Sequence, residues 1–141
     1  MKTIMLKGGQ ISRKYYVVDA EGKPAGRVAV AVARLLMGKH KVDYTPHIDN
    51  GDYVIIKNAS KVIMTGKKMD YKVFFWHSGY PSGLNHIYFK DAIIKNPRFA
   101  FERLVRGMLP KNRLRKHRLR RMMVVKDDNV KLPAGVIEYK I

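Results

Sequence analysis

Five side chains with metal-ligating chemistry, His40, Asp43, His47, Asp49 and Asp52, fall within thirteen residues. Imidazoles and carboxylates at that density can hold a divalent ion and activate water for hydrolysis. The spacing matches neither an H-E-x-x-H helix nor a calcium loop. Lys39 and Lys41 also flank His40, and their charges oppose a bound cation. The segment is therefore expected to be a polar loop whose Asp49-Asn50-Gly51-Asp52 turn leads into a strand. His77 and Ser78 are neighbours. A nucleophile, however, needs a base within reach and a third group to orient that base. Gly-Lys pairs begin at Gly22, Gly38 and Gly66, but Pro24, His40 and Lys68 follow them, not the Ser or Thr of a phosphate loop. Cysteine is absent, which excludes thiol nucleophiles, zinc fingers and disulfide scaffolds. These residues point away from an enzyme and call for no cofactor, no metal and no small-molecule substrate.

Binding chemistry is far stronger. The chain carries 29 Lys plus Arg against 11 Asp plus Glu, a net charge of +18 over 141 residues. Solubility of a small domain needs only about 2–8 charges. Self-repulsion of this size is tolerated when a polyanion neutralises it, so nucleic acid is the first partner to consider and an anionic membrane surface the second. Ten cations and no acid lie between Arg103 and Lys126. A merely solvated helix would intersperse Glu with Lys to gain i,i+4 pairs. Three segments combine cations with small and stackable residues. The first holds Lys39, His40, Lys41, Thr45 and His47. The second holds Lys67 and Lys68, followed by His77, Ser78 and Tyr80. The third holds Arg106, Lys111, Asn112, Arg113 and Arg115. Lysine and arginine neutralise phosphates, and rings stack on unpaired bases, the usual route to RNA specificity. Tyr80, between Gly79 and Pro81, is expected to be exposed. Phe74 and Trp76, in an apolar run, are expected in the core.

The elements that must position these loops follow from periodicity. Tyr15 to Asp19, Tyr53 to Ile56, Val62 to Met64, Val73 to Trp76 and Met122 to Val125 read as short strands. Arg27 to Met37 has helical spacing of Val28, Val32, Leu35 and Leu36, and Gly38 follows where a left-handed cap is favoured. Lys90 to Lys95 starts a helix. Pro97 suits the first turn of another, whose Phe101, Leu104, Val105 and Met108 share one face and which Pro110 ends. Leu114 to Leu119 adds a helical turn. The chain is expected to form a single domain over 1–141, with an N-terminal arm at 1–14 and a weakly patterned tail at 127–141. Strands alternating with helices imply an α/β domain with a small sheet covered on both faces. No apolar run approaches the ~18 residues that span a bilayer, and residues 1–10 lack a signal-peptide core.

Several loops occur together in a recognisable order: Gly38-Lys39-His40-Lys41, Tyr44-Thr45-Pro46-His47, Thr65-Gly66-Lys67-Lys68, His77-Ser78-Gly79-Tyr80-Pro81 and Gly107-Met108-Leu109-Pro110-Lys111-Asn112. From about Tyr15 to Val125 the chain resembles the bacterial-type large-subunit ribosomal protein L13 family. The resemblance implies a three-layer α/β/α fold around a mostly parallel sheet of about four strands, with basic RNA-binding loops. It implies a structural constituent of the large ribosomal subunit that binds large-subunit ribosomal RNA early in assembly, beside neighbouring ribosomal proteins. An RNA-binding translational regulator outside the ribosome is the alternative. The implied location is a bacterial cytoplasm, or an organelle that encodes its own copy. Two departures stand out. Arg115 replaces a glycine usual after the Pro-Lys-Asn-x-Leu run, and Val125 and Asp127-Asp128 replace an aromatic and a glycine near the last strand.

Overall fold

The computed structural model describes residues 6–129 and 131–141. Residues 1–5 of the expected arm therefore lie outside the described residues. The arm's far end is tied down: the Lys14 carbonyl accepts from the Tyr53 N–H at 3.0 Å, and the Arg13 guanidinium donates to the Asp49 carbonyl at 3.2 Å.

Four strands form one wholly parallel sheet. They are β1 (Tyr15–Asp19), β2 (Tyr53–Lys57), β5 (Met122–Val124) and β6 (Ile137–Tyr139), in the order β5-β2-β1-β6. Central parallel strands are buried on both faces and read as unbroken apolar runs, which is why Val17, Val18, Val54, Ile55 and Ile56 are all buried. Helix α1 (Ala25–Met37) makes the crossover from β1 to β2. Between β2 and β5 come α2 (Lys68–Tyr71), α3 (Phe89–Lys95), α4 (Pro97–Met108) and α5 (Leu114–Arg120). Parallel crossovers are right-handed almost without exception. Strands added successively in one direction therefore place their helices over one face. The core agrees, because a single buried cluster unites Val18, Val54, Ile56 and Met122 of the sheet with Leu35, Leu36, Phe89, Phe101 and Val105 of the helices. Each large apolar side chain buried there is worth about 1.5–3 kcal/mol. Returning to β6 at the far edge reverses the direction, so the β5–β6 connection passes the opposite face. Lys57 on that face holds Asp128 of the connection at 3.1 Å.

The other two strands stand apart. β3 (Val73–His77) and β4 (Leu84–Tyr88) form an antiparallel ribbon outside the main sheet. Its inner side chains Phe74 and Ile87 pack on the core.

Several elements differ from the sequence reading. Helix α1 begins two residues early, because Pro24 occupies its N-cap position and accepts from the Arg27 and Val28 N–H groups. Val62 to Met64 is not a ladder strand. A 3-10 turn precedes it at Ala59–Lys61, and Ile63 makes only an isolated bridge to Pro24. Strand β4 was not foreseen, nor was β6 within the expected tail. Trp76 is 40% exposed rather than core, its ring meeting Phe99 edge-on at 6.0 Å. Met108, expected on the apolar face of α4, is also exposed.

Helix termini set the loop that follows α1. Gly38 has φ 78° and closes the helix by donating to the carbonyls of Arg34 and Leu35. The chain then turns back so tightly that a Cβ on Gly51 would sit 1.7 Å from the Leu36 carbonyl oxygen. No rotamer relieves a clash with backbone. Gly51→Ala is expected to cost about 3 kcal/mol, read as a lowered midpoint in urea unfolding.

Candidate nucleic-acid interface

The polar loop between Gly38 and Tyr53 is held from beneath by one buried carboxylate, Asp52, and one partly buried, Asp49. Asp52 is fully buried. Its Oδ1 receives the Lys14 N–H at 2.9 Å and lies 2.8 Å from Lys41 Nζ. Its Oδ2 lies 2.8 Å from His40 Nε2. Lys41 also donates to the Ser12 carbonyl at 2.8 Å. The His40 ring stands edge-on to Tyr16 with centroids 5.3 Å apart. Burial and the Asp52 charge both push the Tyr16 phenol up.

Asp49 makes the second anchor. Both of its oxygens accept from the Arg121 guanidinium, Oδ1 at 2.6 Å, and Arg118 Nε lies 3.5 Å from Oδ1. Arg121 reaches further, donating to the Leu36 carbonyl at 3.1 Å. A cation on the last carbonyls of a helix also satisfies its dipole. Burial raises the Asp49 carboxyl, but the hydrogen bonds from Arg121 and the charges of Arg121, Arg118 and Arg13 outweigh it and hold the group below the usual carboxylate range. Two of the ten cations between Arg103 and Lys126 therefore face inward and serve the fold.

The first segment divides accordingly. His40 and Lys41 are engaged with Asp52, and Thr45 is buried, whereas Lys39 and His47 project into solvent. Lys67 and Lys68 are exposed at the start of α2. Beside them a groove of about 370 Å³ runs between the start of α1 and the end of α4, lined in part by Arg27, Lys68, Lys72 and Met108. Arg27 and Lys72 were not among the expected binding residues. Their isolation in sequence hid them, and only the groove shared by α1, α2 and α4 gathers them. His77, Ser78 and Tyr80 cap the β3–β4 ribbon, all exposed, with His77 Nδ1 accepting from the Gly79 N–H at 2.9 Å.

The third segment builds the most concentrated surface. Asn96 caps α4 by accepting from the Phe99 N–H at 3.2 Å, with Pro97 in the first turn. Pro110 then separates α4 from α5. The angle between the helices opens a groove of about 520 Å³ lined by Arg106, Asn112, Arg113, Arg115 and Lys116, with Glu102 and Leu119. Lys111 is exposed nearby. Arg115 lies inside α5, its N–H donating to the Asn112 carbonyl at 3.2 Å, so no left-handed backbone is required there.

Among the described residues, no three of His, Asp or Glu gather as a metal-holding group. Of the candidates in the 40–52 loop, Asp52 is engaged instead with His40 and Lys41, and Asp49 with Arg118 and Arg121. Among the described residues, too, no helix is long and apolar enough to cross a membrane.

An α/β scaffold that pairs Asp49 and Asp52 with neighbouring cations and presents other cations on exposed loops belongs to the class of basic, polyanion-binding proteins. The family model for Ribosomal protein L13 matches residues 13–131, and the chain belongs to that family. It is 52% identical to the large ribosomal subunit protein uL13 of Thermotoga maritima, over 87% of this chain and 83% of the relative. It is 53% identical to the protein of that name from Clostridium tetani, over 88% and 86%. With the one from Caldicellulosiruptor saccharolyticus it shares 48% identity over 92% and 91%.

The Asp49 cluster gives a pH prediction with a fixed sign. A carboxyl depressed in the folded state adds stability above its unfolded pKa of about 3.9, and that stability is lost as pH falls through the folded value. Asp49→Asn is expected to unfold more easily at pH 7 and to show a flatter decline below about pH 4. Urea midpoints measured from pH 7 to pH 2 check this.

Proposed function

We propose that this protein is a structural constituent of the large ribosomal subunit, bound to large-subunit ribosomal RNA and supporting early subunit assembly. Family membership carries the proposal, and the cationic groove between α4 and α5 gives it a physical basis. The chain acts as a single domain, by binding and not by catalysis, in the cytoplasm and beside neighbouring ribosomal proteins.

Lys39, Lys67, Lys68, Arg106, Lys111, Arg113 and Arg115 neutralise phosphates in this reading. Asn112, Ser78, His47 and Tyr80 meet sugars and bases, while His77 shapes the tip of the ribbon. His40, Lys41 and Thr45 contribute by fixing the loop that presents Lys39 and His47. The supporting observation is their division into internally paired and solvent-facing groups.

Sucrose-gradient sedimentation of a tagged chain, after a high-salt wash, is the test. Migration with the large subunit is expected, and migration at the top of the gradient would overturn the proposal. Replacing Lys111 and Arg113 together by Ala is expected to weaken binding to large-subunit RNA. The plot of log affinity against log salt should become shallower by about 1.4–1.8, because each lost phosphate contact removes about 0.7–0.9 from the slope. Filter-binding titrations between 50 and ~200 mM salt read both quantities.

A further inference from the structure

The outward face of the β3–β4 ribbon takes no part in the core or in the cationic grooves. The antiparallel register sets Val73 opposite Tyr88, Phe75 opposite His86 and His77 opposite Leu84, and these six side chains share one face. The inner face is occupied: Phe74 meets Phe89 and Phe99 at 6.0 and 5.9 Å. The outer face is open. Phe75 is 58% exposed, Tyr88 46% and Leu84 62%.

Three rings meet on this face, Phe75 across the ladder from His86 and Tyr88 two residues along β4 from it, with interplanar angles of 40° and 85°. Phe75 and His86 have centroids 6.1 Å apart, and His86 and Tyr88 6.0 Å apart. Asp70 and Asp91 flank the ribbon in sequence, but the ribbon itself carries no carboxylate. Residues 71–90 contain no Asp or Glu, while Lys72 and Lys90 stand at the base of the ribbon.

We propose that this face is a stacking platform for unpaired RNA bases, a contact with ribosomal RNA separate from the phosphate grips. It rests on the rRNA-binding reading above. Rings on alternate positions of a strand can each receive one base, and base–aromatic stacking tolerates any sequence. The 6 Å between ring centres exceeds the ~3.4 Å rise of a stacked duplex, so the bases received are splayed, as in single-stranded loops and bulges. Lys90 is exposed at the base of β4 and can meet a phosphate of the bound strand, whereas Lys72 Nζ lies over the inner-face ring of Phe74, 5.9 Å from its centroid. A ribbon with no carboxylate between residues 71 and 90 suits a polyanion better than it suits a neutral apolar protein surface.

The test uses the full chain and a single-stranded oligoadenylate RNA carrying one central 2-aminopurine. Binding is expected to quench the probe. Phe75→Leu and Tyr88→Leu keep apolar area and remove the ring. Each is expected to bind roughly tenfold more weakly, with the salt slope of the parent and an unchanged unfolding midpoint. Phe75→Trp restores a ring and is expected to bind at least as tightly as the parent. Leucine variants that bind and quench like the parent would overturn the proposal and leave the face to an apolar protein neighbour. A parent chain that fails to quench the probe, or a weakened Phe75→Trp, would overturn it as well. The rRNA reading fails separately, only if the parent does not sediment with the large subunit.

Discussion

Two carboxylates, Asp52 buried and Asp49 partly buried, hold the architecture of this basic chain in place. Asp49 and Asp52 lie three residues apart in a turn that Gly51 presses against the end of α1. Between them they collect Lys41, His40, Arg118 and Arg121. Arg121 lies between α5 and β5, so its contact with Asp49 joins segments 72 residues apart in sequence. It reaches the Leu36 carbonyl as well, and thereby ties the end of α1, the loop and the last helix into one unit. In a chain with 11 acids against 29 cations, the position of each acid decides which cations are internal and which are free. Burying charges is costly unless they are paired and hydrogen-bonded, and here each carboxylate meets a backbone donor, a guanidinium or an ammonium.

This arrangement separates two jobs that look identical in sequence. Arg118 and Arg121 sit in the same basic run as Arg113, Arg115 and Lys116. The inner pair fixes the angle of α5, and the outer set lines the groove that α5 forms with α4. Loss of an inner arginine would alter the groove through the backbone, whereas loss of an outer one would remove charge alone. His40 and Lys41 stand in the same relation to Lys39 and His47. The cationic surface is thus a by-product of internal neutralisation, with its geometry inherited from the ion pairs below it.

Much of the frame was readable from local pattern. The apolar runs of β1, β2 and β5, the spacing of α1 and α4, the left-handed Gly38 and the first-turn Pro97 each carry their signal within a few residues. What was hidden depends on partners far away. The Asp49-Asn50-Gly51-Asp52 stretch looks like a solvated turn, because nothing nearby announces Arg121. Strand β4, Leu84-Asn-His-Ile-Tyr, alternates with its larger exposed residues outward and follows loop chemistry, so its pairing with β3 is invisible without the ribbon. Trp76 looked like core because its neighbours are apolar, yet a two-stranded ribbon has only one face to bury. Charge and loop composition supplied the expected binding residues, while the pairing of His40 and Lys41 with Asp52 belongs to the third dimension.

The position of β6 has a consequence for how the chain is made. Tyr16 of the first strand pairs beside Ile137 of the last, about 120 residues later. Throughout synthesis one edge of β1 therefore has its N–H and C=O groups without a ladder partner, and unpaired edges are templates for any other extended chain. The three-residue strand that covers it, Ile137–Tyr139, is made long after β1. A chain cut before Ile137 would therefore leave the sheet open at β1, and a nascent copy is exposed to strand exchange with its neighbours until β6 has emerged.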